Sequence, residues 1–291
     1  MKQSLKAHLA LLTTMLLWAT SFIAIRQAVP VFGAGGLAFF RYSFASLTLL
    51  VFFIFHRKNN LSKLTLIQIL EMVIAGIVGI VIYNVSLNYA EIHIDPGLAS
   101  FVIADIPVFA LILSFLFLKE KISIKALLGI AISLFGMGIV IYSQHLDFEF
   151  DLGLGLALLS ALCGAIYAVM QKPILKKISP IDFNMIVIWS STIVALYWLP
   201  DVLKTLPTAP THSIFQVAYL GVFPAAIGYI LWSYGIKYIP VNKACTYLYA
   251  MPFCTLIIQR VVLDITPTLP VFIGCVIAVM GPMIVNFNRD K

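Results

Sequence analysis

The chain has 291 residues, of which 62% are hydrophobic and 11% are charged, and its formal net charge is +7. Soluble domains carry about 25% charged residues, and a soluble chain of this length cannot bury so much apolar surface, so the composition excludes a soluble globular protein. The positive charge is spread over short loops, which argues against a nucleic-acid partner and leaves membrane lipid as the surrounding solvent.

Ten apolar segments follow one another along the chain, each close to the roughly 20 residues that a helix needs to cross a bilayer core. Helices are expected because lipid offers no hydrogen bonds to an open backbone. Short turns containing Pro30 and Gly33, or Asp95, Pro96 and Gly97, separate the segments. The predicted spans are 9–29, 36–55, 66–89, 95–118, 124–143, 152–171, 182–200, 213–236, 241–262 and 268–287.

The chain contains an internal repeat, because about a fifth of the positions from Gly76 to Val140 recur unchanged, without a gap, 145 residues later. Glycine and proline matches carry most weight, since each fixes a backbone property. They include Gly76/Gly221, Pro107/Pro252, Gly129/Gly274 and Gly136/Gly281. Five spans per copy is an odd number, so the second copy enters the bilayer upside down. The prediction is an all-α integral membrane fold of ten transmembrane helices in two inverted five-helix repeats, residues 1–145 and 146–291.

Charge orients the predicted spans. Most lysines and arginines, among them Lys2, Arg57, Lys119 and Lys176, fall on the amino-terminal side of the membrane. Cytoplasmic loops carry such an excess. Both termini are therefore expected in the cytoplasm, in a multi-pass protein of the bacterial inner (plasma) membrane.

Several segments together resemble the EamA family of the drug/metabolite transporter superfamily. They are Leu17–Phe22, Phe40–Tyr42, Ala104–Val108, Leu118–Lys121 and the glycines of the fifth span. The resemblance covers the whole chain and implies a substrate cavity walled by spans 1, 3, 4, 6, 8 and 9, with spans 5 and 10 peripheral. It also implies export of amino acids or related metabolites. Cys163 and Gly164 depart from the family, which often has an aromatic residue there.

Asp105 lies near the middle of the fourth span, where a carboxylate costs about 2.5–3.5 kcal/mol on insertion scales. Two interpretations stay open: a proton-coupling or substrate-amine site, or a structural carboxylate bonded to hydroxyls or to Arg41. Arg41 lies one or two turns inside the outer end of the second span, and a structural role is favoured for it: its side chain either extends to the membrane interface or bonds helix-end carbonyls and holds the second span against a neighbour.

Aromatic and amide side chains at mid-membrane depth are the other cavity candidates. Trp18 is central in the first span and either lines a cavity or fills a helix interface, whereas Trp198 and Trp232 are expected to be interfacial anchors. Tyrosines offer a hydroxyl to a zwitterion and a ring to an apolar ligand. The predicted cavity residues are Trp18, Phe22, Tyr83, Asn84, Asp105, Tyr167, Tyr229 and Tyr247.

Prolines and glycines are the remaining candidates. Pro107 and Pro252 each remove a backbone hydrogen bond in mid-membrane, as a moving hinge or as a fixed bend. Glycines seven residues apart lie on one helix face and suit close packing, within a monomer or between two copies of a homodimer. The glycines concerned are Gly129, Gly136, Gly274 and Gly281.

The leading hypothesis is a secondary transporter that exports amino acids or related compounds by alternating access, with proton coupling through Asp105. Alternatives are an uptake carrier for metabolites or nucleotide derivatives, and a lipid-precursor flippase. No phosphate-binding loop, hydrolase motif or paired metal spacing occurs, so we expect no enzyme activity, cofactor or metal. The histidines lie at loops or span ends.

Overall fold

The computed structural model describes residues 2–55, 64–120, 122–143, 152–264, 266 and 268–286. Within these ranges every regular element is helical. The α-helices are α1 (Lys2–Phe32), α2 (Ala34–Phe55), α3 (Leu66–Gly76), α4 (Tyr83–His93), α5 (Pro96–Ile103), α6 (Ile106–Leu118), α7 (Ile124–Ser143), α8 (Leu152–Leu175), α9 (Pro180–Ala195), α10 (Leu199–Thr205), α11 (Thr211–Leu220), α12 (Tyr229–Tyr238), α13 (Val241–Cys245), α14 (Ala250–Leu263) and α15 (Leu269–Asn286).

Eight helical stretches among the described residues are long and apolar enough to cross a bilayer, so the expectation of an all-helical, multi-pass membrane protein is confirmed. They correspond to predicted spans 1–4 and 6–9. The stretches are Gln3–Phe32, Ala34–Phe55, Leu66–His93, Pro96–Leu118, Leu152–Leu175, Pro180–Thr208, Thr211–Tyr238 and Val241–Leu263. At predicted spans 5 and 10, α7 and α15 contain the shorter apolar runs Leu127–Gly136 and Leu269–Ala278.

The stretches at predicted spans 4 and 9 are broken near their middle. Ala104 and Asp105 form a turn between α5 and α6, and a 3-10 segment, Thr246–Tyr249, joins α13 to α14. Pro107 and Pro252 follow these breaks by two or three residues. Because proline has no N–H to donate, each lies where the helical ladder restarts.

The stretches at predicted spans 3 and 8 each contain a π-helical segment. These are Ile77–Ile82, between α3 and α4, and Gly221–Gly228, between α11 and α12. Pro224 lies inside the second segment and removes one backbone donor from it. The wider π turn changes which side chains face the bundle, and such segments are frequent at functional sites.

Cross-packing builds the centre of the bundle. α1 packs against α12 and α14, α8 packs against α4 and α6, and α2 packs against α9. One continuous cluster of buried apolar side chains joins these helices, with Leu11, Ile25, Tyr42, Ile80 and Phe183 among its most deeply buried members. The helices around the cavity are therefore held by close packing on several sides.

α7 and α15 pack chiefly against each other and touch the rest through α5, α14 and the 3-10 segment. A Cβ added at Gly136 would lie 2.5 Å from the carbonyl oxygen of Gly274 and 2.6 Å from the amide nitrogen of Ala278. Ser133 Oγ donates to the carbonyl of Ala278 at 2.8 Å. Gly136 and Gly274 thus allow close helix contact within one chain. Gly129 is buried in α7, and the surroundings of Gly281 in α15 lie outside the described residues.

Candidate functional site

A narrow cavity lies between α1, α2, α4, α8 and α12, and the space in it that the centre of a water-sized sphere can occupy is about 40 Å³. Six of the eight predicted cavity residues line it: Trp18, Phe22, Tyr83, Asn84, Tyr167 and Tyr229. The other lining residues are Ser21, Ile25, Arg41, Gly79, Leu87, Ile106, Gly164, Trp232, Leu248 and Met251. The structure thus brings these six side chains together, and their contact with a substrate stays a prediction.

Trp18 is the centre of an aromatic cluster. Its ring centroid lies 5.4 Å from that of Tyr229 and 5.2 Å from that of Trp232. The indole Nε1 donates to the carbonyl oxygen of Pro224, in the π-helical segment, at 3.1 Å. Gly228 leaves room for the indole, since a Cβ there would lie 2.9 Å from Nε1. The π segment therefore both positions Trp18 and satisfies its donor.

Tyr167 is fixed in the cavity wall by contacts on both its ring and its hydroxyl. Its ring meets Tyr229 edge-on at 5.8 Å, and its hydroxyl donates to Asn184 Oδ1 at 3.3 Å. Asn184 in turn donates to the Ser233 hydroxyl at 2.9 Å. A Cβ at Gly79 would overlap the Tyr167 ring, so glycine is required where π-helix and ring meet. The ring of Tyr167 thus lines the cavity while its hydroxyl belongs to a buried network.

Arg41 lines the cavity and is only 4% exposed, which differs from a side chain extended to the membrane interface, one of the two structural roles predicted for it. Its Nη1 donates to Asn84 Oδ1 at 3.1 Å, and its guanidinium carbon lies 5.5 Å from the Tyr42 ring centroid. Asn84 is itself fixed, because its Nδ2 donates to the carbonyl of Ile80 at 2.7 Å. Arg41 Nε is buried and has no hydrogen-bond partner among the described residues. Contact with Asn84 in α4 turns the side chain inward and away from the membrane surface.

Asp105 and Tyr247 are not part of the cavity lining. Asp105 lies in the turn before α6, where its Oδ1 is buried without a hydrogen-bond partner among the described residues. Its charge acts on the Tyr249 hydroxyl, and Arg41 bonds Asn84 instead of Asp105. The Tyr247 hydroxyl lies 2.5 Å from Nδ1 of His8. Coupling through Asp105 and substrate contact by Tyr247 both stay predictions.

Trp232 is a cavity residue that sequence reasoning missed. It was expected to anchor the chain at the membrane surface, but it is 2% exposed and faces Trp18. The reason is that α12 continues to Tyr238, which places Trp232 inside the bundle. Gly164, which also lines the cavity, lies in α8. A Cβ there would lie 2.7 Å from Ile106 Cδ1, so glycine keeps α8 close to α6.

A helical membrane-spanning bundle with an internal, ring-lined cavity defines a polytopic membrane transport protein. The EamA-like transporter family matches residues 5–142 and, separately, residues 151–287. The chain therefore belongs to the EamA-like transporter family. Because this is a family of transporters, the protein is a small-molecule transporter and not an enzyme.

Curated relatives support the assignment over nearly the full length. The chain is 28% identical, over 97% of its length and 93% of the relative, to a "Probable terminal-alkyne amino-acid exporter" of Streptantibioticus cattleyicolor. It is 31% identical, over 94% and 89%, to the "Uncharacterized transporter YdfC" of Bacillus subtilis. A solved crystal structure matches the fold with a TM-score of 0.71 at 19% identity, covering 97% of this chain and 96% of the other.

Proposed function

We propose that this protein is a secondary transporter that exports amino acids or related compounds by alternating access. The observation that carries the proposal is the buried cavity, which combines a cluster of aromatic rings with one guanidinium group. Rings suit an apolar side chain, and polar groups among them suit a zwitterion. The name of the Streptantibioticus relative, an amino-acid exporter, agrees with this substrate class.

The proposed architecture is ten transmembrane spans in two inverted repeats, residues 1–145 and 146–291. Two separate family matches support the duplication. So do the paired irregularities: π segments near residues 77 and 221, and helix breaks before Pro107 and Pro252. Helix packing is also reciprocal, because α1 against α12 and α14 corresponds to α8 against α4 and α6 when the halves are exchanged.

A matched pair of capping cations gives further support for two copies. Arg26, in the first span, donates to the carbonyl oxygen of Glu91 at the end of the third. Lys172, in the sixth span, donates to the carbonyl of Ile236 at the end of the eighth, at 2.5 Å. Glu91 and Ile236 are equivalent in the 145-residue register. Each cation satisfies carbonyls that a helix end leaves free.

Charge supports the proposed location and orientation. Because most basic residues fall on the amino-terminal side, the proposal has both termini in the cytoplasm and the protein in the bacterial inner membrane. In this orientation Lys172 and Arg26 would lie on opposite sides of the bilayer, as an inverted repeat requires.

The proposed mechanism is rocking of the two halves around the shared cavity. Pro107 and Pro252 are the proposed hinges, since both follow breaks in otherwise continuous spans. Asp105 is the proposed proton-coupling group, because its buried oxygen lacks a hydrogen-bond partner in the described part of the chain. A carboxylate so placed is expected to exchange a proton when the turn before α6 moves.

A lipid-precursor flippase is the second candidate, and one observation favours it. A lateral apolar groove between α3, α6 and α8 is lined by Leu113, Phe117, Ile166, Val169 and Met170, with Glu71 at its edge. Acyl chains fit such a groove, but the cationic and ring-lined cavity lies elsewhere, so the groove supplies little head-group recognition.

An uptake carrier for metabolites or nucleotide derivatives would use the same fold in the opposite direction.

Counterflow in proteoliposomes tests the proposal. The full chain is reconstituted, preloaded with each unlabelled amino acid in turn, and supplied with the labelled compound, with and without a pH gradient. We expect trans-stimulated uptake for at least a subset of amino acids. The absence of trans-stimulation for all of them, together with movement of labelled lipid between leaflets, would replace this function by the flippase alternative.

A further inference from the structure

Arg41 places a permanent positive charge inside the cavity. A guanidinium stays protonated at any ordinary pH, and it has five N–H donors. Here the side chain is 4% exposed, and one bond, from Nη1 to Asn84 Oδ1, is made. Nε is buried without a partner in the described residues, and no bond from Nη2 is found there.

Among the described residues, the groups that contact this guanidinium are neutral. Asn84 is an amide, and the Tyr42 ring contributes only its face at 5.5 Å. Arg41 forms no ion pair with the described residues. A buried charge without a counter-charge is strongly unfavourable, and proteins keep one mainly where a ligand supplies the missing partner.

The charge of the Glu91 carboxylate acts on Arg41, but Glu91 makes no contact that would neutralise the guanidinium. It lies in α4 seven residues beyond Asn84, two helical turns along the same helix. Its side chain is fully buried, and neither carboxylate oxygen has a hydrogen-bond partner among the described residues. Arg26 and Asp95 are the other charged groups that act on Glu91. The edge of the Arg41 guanidinium that carries Nε and Nη2 is therefore left unpaired among the described residues.

We propose that Arg41 and Asn84 form a carboxylate subsite, which binds the carboxylate of the transported molecule through the unpaired edge of the guanidinium, the edge that carries Nε and Nη2. Nε–H and Nη2–H lie side by side, and two parallel N–H groups match the two oxygens of a carboxylate. Trp18, Tyr229 and Trp232 take the apolar remainder of the molecule. This subsite presupposes the transport function proposed above and specifies which molecules the cavity accepts.

The subsite has a clear consequence for specificity. Amino acids and other monocarboxylates with an apolar or aromatic part are accepted. Amines and amides of the same shape are rejected. They bring no carboxylate to pair with the guanidinium, and their positive charge is repelled by it. Asp105 lies outside the lining, and none of the lining residues is acidic, so no side chain of the cavity replaces the missing carboxylate.

The test compares acids with their carboxamides. Tryptophan-fluorescence binding and proteoliposome counterflow are measured for a panel of neutral L-amino acids and the matched carboxamides. For the wild type we expect the acid to bind at least about 10-fold more tightly than its amide, since hydrogen bonds to a charged group contribute about 1.5–3 kcal/mol. Arg41→Gln removes this preference, because acid binding weakens and amide binding strengthens once the repulsion from the guanidinium is gone. Arg260→Gln, on the exposed Arg260–Asp264 pair, is the matched control and keeps the preference.

Asn84→Asp gives a second test that leaves Arg41 in place. The new carboxylate would lie about where Asn84 Oδ1 now sits, 3.1 Å from Nη1, and would occupy the guanidinium from within. We expect loss of acid preference. If Arg41 only tethers α2 to α4, Asn84→Asp preserves acid preference, and that result overturns the subsite.

Failure of the subsite and failure of the transport function give different results. Wild-type protein that transports acids and amides equally would overturn the subsite and leave the transport function standing. Equal loss of acid and amide binding in Arg41→Gln would also overturn it. Wild-type protein that neither binds nor exchanges any member of the panel would overturn the transport function and the subsite with it.

Discussion

Gly136→Ala is expected to loosen the contact between α7 and α15. The new Cβ would lie 2.5 Å from the Gly274 carbonyl oxygen, whereas ordinary contact begins at 3.4 Å. The two nearest atoms, the Gly274 oxygen and the Ala278 nitrogen, belong to backbone, so the helices must separate by about 0.9 Å. That separation would also break the 2.8 Å bond from Ser133 to Ala278. Overpacking of about 1–3 kcal/mol and a lost hydrogen bond of about 0.5–1.5 kcal/mol give a destabilisation of roughly 2–4 kcal/mol.

The assay is thermal unfolding in detergent, followed by tryptophan fluorescence. Gly138→Ala is the matched control, because it lies two residues away on the same helix with no atom within 4 Å of an added Cβ. The control should melt at or slightly above the wild-type temperature, since alanine is the better helix former. Substrate binding should survive in both variants, as α7 does not line the cavity. Equal melting temperatures for the two variants would refute the close contact.

Three further outcomes are expected. Trp18→Ala removes the ring between Tyr229 and Trp232 and should raise KM for accepted amino acids about 10-fold, measured by counterflow. Unchanged kinetics for every substrate would contradict the place of Trp18 in the site. Asp105→Asn should abolish stimulation by a pH gradient but keep counterflow, and retained stimulation would remove Asp105 from coupling. Tyr247→Phe should leave transport unchanged, because its hydroxyl contacts His8 outside the cavity; a large loss would place it in the pathway.

Hydrophobic length predicted the spans well because lipid constrains the backbone so strongly. Each of the eight long apolar stretches overlaps one predicted span, and the prolines at 107 and 252 correctly indicated irregular helices. The π-helical segments were not predicted. Their glycines and Pro224 are visible in sequence, but a π turn depends on packing against Trp18 and Tyr167, which the sequence does not display.

Depth in the membrane could be predicted from position, whereas facing direction could not. Asp105 and Tyr247 lie at plausible depths, yet the helix breaks turn them out of the cavity lining. Arg41 shows the opposite case, since its inward orientation is determined by Asn84, 43 residues away. A partner so distant in sequence is settled only by the packing of α2 against α4.

Thiol accessibility at Ser21 tests most directly whether the cavity opens alternately to both sides. Ser21 lines the cavity, and Ser21→Cys would be placed in a chain whose four native cysteines are replaced. A membrane-impermeant thiol reagent is then applied to right-side-out and to inside-out vesicles. Alternating access predicts labelling from both sides and protection by a transported amino acid. Labelling from one side alone, or no protection by any amino acid, would contradict it.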